Sequence, residues 1–203
     1  MEKAFFKRIS SVIFSSDKTE LDIGQKIYYK CLLASRKPEF YTKFEVADTF
    51  DGRFDMLCLI ISVYMHKLTR EPEKTKEFSQ ILFDVMFKDI DLTLREMGAG
   101  DLGVGKRVKI MSESFMGRLI KYSQSLENKN GSLLAKALAR NLYRQDGIVN
   151  SDSEIMKFVL TLSEEIESLK MDYVMSEEFD MNDLVASCLK LDNKKKSDES
   201  CNQ

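Results

Sequence analysis

Apolar side chains return every three or four residues along most of this chain, the spacing of one face of an α-helix. The clearest run is Val104, Val108, Met111, Phe115, Leu119 and Tyr122. Residues 54–69 are the most hydrophobic stretch. There Phe54, Leu57, Ile61, Met65 and Leu68 form a stripe that Cys58, Leu59 and Ile60 widen, which predicts a central helix. Pro72 opens the next helix, where its missing N–H costs nothing. Phe78, Leu82, Val85, Met86, Phe87, Ile90 and Leu94 carry that helix to about Met97. Asp84 with Lys88, and Asp91 with Arg95, are i,i+4 pairs on its polar side. Further helices are predicted over 3–14, 20–35 and 131–144, and from a Ser151–Glu154 capping box to Leu169. The connector 38–54 holds four phenylalanines and a tyrosine, too greasy for a free linker, and is expected to be pinned to the core.

The pattern predicts an all-α fold, a single compact bundle of six or seven helices. Residues 1–18 form an amphipathic N-terminal helix and 19–175 the helical domain. Beyond Asp172 the periodicity weakens, so 176–203 is expected to be an acidic, largely disordered tail. Composition agrees with one domain: 203 residues, 43% hydrophobic and 32% charged, are enough for a core under a solvated surface. Two prolines and nine glycines disfavour an all-β sandwich. No window approaches the ~20 apolar residues of a membrane span, and the N-terminus lacks a signal peptide's apolar region. Cys31, Cys58, Cys188 and Cys201 are far apart with no CxxC, which predicts free thiols in a reducing compartment. His66 is the one histidine and lies off the main stripe, where partial exposure is expected. With no metal set and no nucleophile–base pair, the chain reads as a non-enzyme without metal or cofactor.

Gly100 to Arg107 reads GDLGVGKR, which fits the GxxxxGK opening of a phosphate loop. That motif needs a hydroxyl residue after the lysine and a buried strand before the loop. Arg107 and a helical segment stand in those places, which argues against nucleotide hydrolysis. Lys106, Arg107 and Lys109 are then expected in the first two turns of a helix, an end that favours anions. Two readings stay open: neutralisation by Asp101 and the acids of the preceding helix, or an acidic partner or lipid phosphate. Gly117, inside a helix, costs ~1 kcal/mol relative to alanine. Either a neighbouring helix packs closely on it, or it opens a groove beside Phe115 and Arg118. The formal charge of −2 conceals a division: residues 100–150 carry 9 basic and 4 acidic groups, and 151–203 carry 6 and 13. The acidic end is therefore expected to shield the basic segment. Three roles fit the basic helix at 3–14: a lid on the bundle, a weak interfacial membrane contact, or a presequence.

The runs PEFYTKFEVADTFDGRFDML (38–57), LREMGAGDLGVGKRVKIMSESFMGRLIKY (94–122) and LLAKALARNLY (133–143) resemble the ubiquinol–cytochrome c chaperone family over about residues 25–170. The family includes alphaproteobacterial proteins of about this size and the mitochondrial assembly chaperone of the cytochrome b–c complex. The resemblance implies a helical protein without catalysis that holds newly made cytochrome b, or another subunit of that complex. It also implies work near the ribosomal tunnel exit and a small partner protein. The location implied is the bacterial cytoplasm beside the inner membrane, or the mitochondrial matrix. Carried over by position, the partner-binding residues are Asp48, Gly52, Phe54, Arg95, Asp101, Lys106, Lys109, Phe115, Gly117 and Tyr122, with Arg107 and Arg118 joining from the cationic surface. Relatives often carry a histidine where this chain has Ile60, and an aromatic where it has Met116. A ribosome- or RNA-associated adaptor using the basic 100–150 surface is the competing expectation.

Overall fold

Every residue from Phe54 to Leu68 is buried, so the most hydrophobic stretch of the sequence is also the centre of the molecule. The computed structural model describes residues 18–98 and 100–200; the helix expected over 3–14 and the thiol of Cys201 lie outside the described residues. The helices are α1 (Lys18–Ser35), α2 (Pro38–Thr42), α3 (Phe50–Leu68), α4 (Pro72–Glu96), α5 (Asp101–Glu127), α6 (Gly131–Leu142), α7 (Glu154–Ser168), α8 (Met171–Val174) and α9 (Met181–Ser200). Among the described residues there is no strand, and the fold is all-α. Helix α3 packs against α1, α4, α5, α6 and α7, which is why it is apolar all round. Among the described residues no helix is long and apolar enough to cross a membrane.

The aromatic connector is pinned as its composition predicts. Phe40 and Phe44 stack on Phe158 of α7 with ring centroids 5.1 and 5.8 Å apart. The Tyr143 hydroxyl donates to the carbonyl of Phe44 at 2.7 Å. Thr49 then caps α3, its hydroxyl accepting from the Gly52 N–H at 3.1 Å.

Four expectations are corrected. The chain after 176 is not a loose tail over its described side chains. Phe179, Met181, Val185, Cys188 and Leu189 are buried, and α9 packs on α1 and α7. The sequence signal failed because a turn at 175–180 separates Val174 from Met181 and breaks the period. Nor do the described ion pairs of this acidic end reach the basic segment: Glu177 pairs with Lys26, Asp180 with Lys30 and Asp172 with Lys74, on α1 and α4. His66 is 2% exposed, covered by α7, with Glu167 3.7 Å from its Nε2. Burial, with Arg70 beside it, pushes its imidazole below the ordinary value. Finally, α5 begins at Asp101 with Gly100 as its N-cap, and the N–H of Val104 donates to the Gly100 carbonyl at 3.0 Å. Gly103 and Gly105 are therefore helical, held by burial of Val104. Lys106 and Arg107 lie in the second turn, within the expected span, and Lys109 falls just past it; all three lie beyond the first turn, where the helix-end dipole acts.

Candidate functional site

Helices α5 and α6 run back to back through a short turn in which Lys129 adopts a positive φ of 48° and Asn130 caps α6. The residues that face each other across the seam are small, Gly117 on α5 and Ala137 on α6, and a groove of about 670 Å³ opens between them. Its walls are cationic. Arg118 and Lys121 come from α5; Lys136 and Arg140, four residues apart on α6, share a face, and Arg144 joins them from just beyond the end of that helix. Among the described residues no Asp or Glu lines it.

A buried carboxylate fixes one end. Asp55 of α3 is 1% exposed and lies between two guanidiniums. It accepts from Arg118 Nη2 at 2.7 Å and from Arg144 Nη2 at 3.1 Å. Arg144 also reaches Asp51 at 3.4 Å from a backbone at φ 54°, outside the usual helical region. Arg118 bonds the Ser114 hydroxyl as well, and its guanidinium stands over the Phe54 ring, 5.8 Å from the centroid. Burial pushes the Asp55 carboxyl up from the ordinary carboxylate range, while both arginines pull the other way. Lys121, Lys136 and Arg140 make no ion pair among the described residues.

The residues expected from sequence divide into two sets. Phe115 and Tyr122 are fully buried; Phe115 packs on Phe83 and Phe87 of α4 at 6.0 and 5.9 Å. Phe54 is buried beneath Arg118. Gly52 is buried too, and a Cβ there would lie 1.9 Å from the carbonyl oxygen of Ala47. These four lie beneath the site: Phe54, Phe115 and Tyr122 belong to apolar stripes that form the core, and Gly52 gives the Ala47 carbonyl room to approach α3. Asp48 is exposed and pairs with Arg53 at 2.6 Å. Arg95 pairs with Asp91 at 2.6 Å and Lys109 with Glu113 at 3.8 Å, both one turn apart on their own helices. The Asp101 side chain lies outside the described residues. Lys106 and Arg107 are exposed; Arg107 precedes Arg118 by three turns and lies on its face, about 16 Å away along α5.

Of the sequence candidates, the groove gathers Gly117 and Arg118. Sequence reasoning missed Asp55, Lys121, Lys136, Arg140 and Arg144. Asp55 had a signal, an acid one residue into the most apolar run of the chain.

Gly117 answers the question left open above. A Cβ there would meet nothing within 4 Å, so no helix packs closely against it. Gly117→Ala should therefore raise stability by about 1 kcal/mol and the thermal midpoint by roughly 2–4 °C. Thermal unfolding checks this, and a lower midpoint would contradict the open groove.

Residues 42–181 match the ubiquinol-cytochrome C chaperone family. The chain belongs to that family. The match takes in Asp55 and both walls of the groove. The crystal structure of the Cbp3 homolog from Brucella abortus aligns with a TM-score of 0.69 and 30% identity, over 88% of this chain and 95% of that one. The ubiquinol-cytochrome c reductase complex assembly factor 1 of Mus musculus is 22% identical over 120 residues, 59% of this chain. The chain spans 40% of that relative's length.

Proposed function

We propose that this chain is a non-enzymatic chaperone in assembly of the ubiquinol–cytochrome c reductase complex, and that its client is cytochrome b or another newly made subunit. The observation that carries the reading is the family match over residues 42–181, which spans α3 to α8 and both walls of the groove. The mouse relative, an assembly factor of that complex by name, supports it. The mechanism is holding. On α5, Ile110 and Ile120 are 54% and 49% exposed, and Met97 just before it is 59% exposed. Such apolar and methionine side chains suit the bare transmembrane segments of an unassembled subunit. Lys106, Arg107 and Lys109 flank them and orient the client. The chain works at the face of the membrane where its client is inserted.

Deleting the gene tests the reading. Cytochrome b content and quinol oxidation by the complex should both fall, and be restored by the full chain. Normal levels of both would sink it.

A further inference from the structure

The groove between α5 and α6 gathers five cations, Arg118, Lys121, Lys136, Arg140 and Arg144, with no carboxylate among its described lining residues. Several cations elsewhere pair with acids on adjoining elements or one turn away, as Lys26 does with Glu177 and Arg95 with Asp91. In the groove Lys121, Lys136 and Arg140 are left over after Asp55 has taken Arg118 and Arg144. Lys136 and Arg140 are exposed like charges at i,i+4, an arrangement that weakens a helix. A 670 Å³ cleft with donors on both walls and small residues at its floor has the size and chemistry of a ligand site.

From this we infer that the groove binds the phosphate headgroup of an anionic phospholipid. Its polar lining is dominated by cationic donors, which matches a phosphate diester whose oxygens only accept. Leu133, the one large apolar residue among its described walls, lies in the first turn of α6 and offers apolar contact to a glycerol backbone. An acidic loop of the client is the other anion at hand. This part of the choice rests on the reading that the client is a membrane subunit. Loops on the side where such a protein is made carry an excess of Lys and Arg, and the groove repels them. The same leaflet presents anionic headgroups, which it attracts. Headgroup binding would hold the chaperone at the leaflet while the exposed Ile110 and Ile120 of α5 meet the client.

The test uses the purified full chain and no client. Vesicles of phosphatidylcholine alone, and of phosphatidylcholine with phosphatidylglycerol, are floated with the protein. Binding should require phosphatidylglycerol. The double variant K136Q/R140Q should weaken the partition roughly thirtyfold, from the usual contribution of each basic residue at an anionic surface. The equal charge removal K76Q/K157Q, on α4 and α7, should change it by less than about threefold. All four side chains are exposed, and circular dichroism confirms that both variants stay folded. Equal losses for the two double variants would assign the binding to diffuse charge and overturn the site. Displacement from vesicles by millimolar inorganic phosphate would reassign the groove to free phosphate. Binding of a polyglutamate peptide, lost in K136Q/R140Q, with no binding to vesicles would reassign it to an acidic segment. Absence of vesicle binding overturns the inference and leaves the gene-deletion result standing; normal cytochrome b on deletion overturns the assembly reading and leaves the vesicle result standing.

Discussion

Asp55→Ala should lower the unfolding free energy at neutral pH by about 3 kcal/mol, the lower end of what breaking a buried ion pair costs. The carboxylate is the shared acceptor of Arg118 and Arg144, and the two guanidiniums lose different amounts when it goes. Arg144 has a side chain 58% exposed and turns to water. Arg118, at 15%, stays between α5 and Phe54 with its Nε already lacking a partner. An uncompensated charge in that position is the main cost. Asp55→Asn, which keeps an acceptor oxygen at the same place, should cost about half as much. Adding Arg118→Met to Asp55→Ala removes the stranded charge and should recover part of the loss. Urea unfolding checks the series: the midpoint should move while the slope stays constant, since the folded surface is unchanged. A double variant as unstable as the sum of its parts would show that the two residues do not act as a pair.

Gly52→Ala should cost a similar amount, about 3 kcal/mol, although helix propensity alone predicts a gain of ~1 kcal/mol. The clash is with a backbone atom. The carbonyl oxygen of Ala47 would sit 1.9 Å from the new Cβ, and no side-chain rotation relieves that. The same carbonyl accepts the Thr49 N–H at 2.9 Å, and Thr49 caps α3, so moving it loosens the turn and the cap together. Thermal unfolding should show a midpoint lower by roughly 6–12 °C, with the far-ultraviolet helical signal retained below the transition. An unchanged midpoint would mean that the connector yields without cost. The opposite signs expected at Gly52 and Gly117 make one comparison. Both are helical glycines that the family resemblance singled out, and only their neighbours separate them.

That comparison marks how far the sequence reached. The spacing of apolar positions determined α1, α3 to α7 and the central place of α3, and aromatic composition the docking of the 38–54 connector, whose short helix α2 it did not show. A helix reports its buried side in its own residues, and Phe40 or Leu57 needs no knowledge of its partner to be read as core. The three matching runs likewise determined the family. Periodicity does not say what lies opposite a polar side chain. Asp55 meets Arg118 and Arg144 across 63 and 89 residues of chain, distances over which no local pattern carries information. The groove cations Lys121, Lys136 and Arg140 come from two helices whose relative rotation is set by packing on α3. Asp172, Glu177 and Asp180 face α1 and α4 for the same reason, although their position in the chain suggested that they would cover the basic segment. Which residues are inside was written locally, in the period of the helix; which charges meet, and which are left without a partner, was decided by how the helices pack.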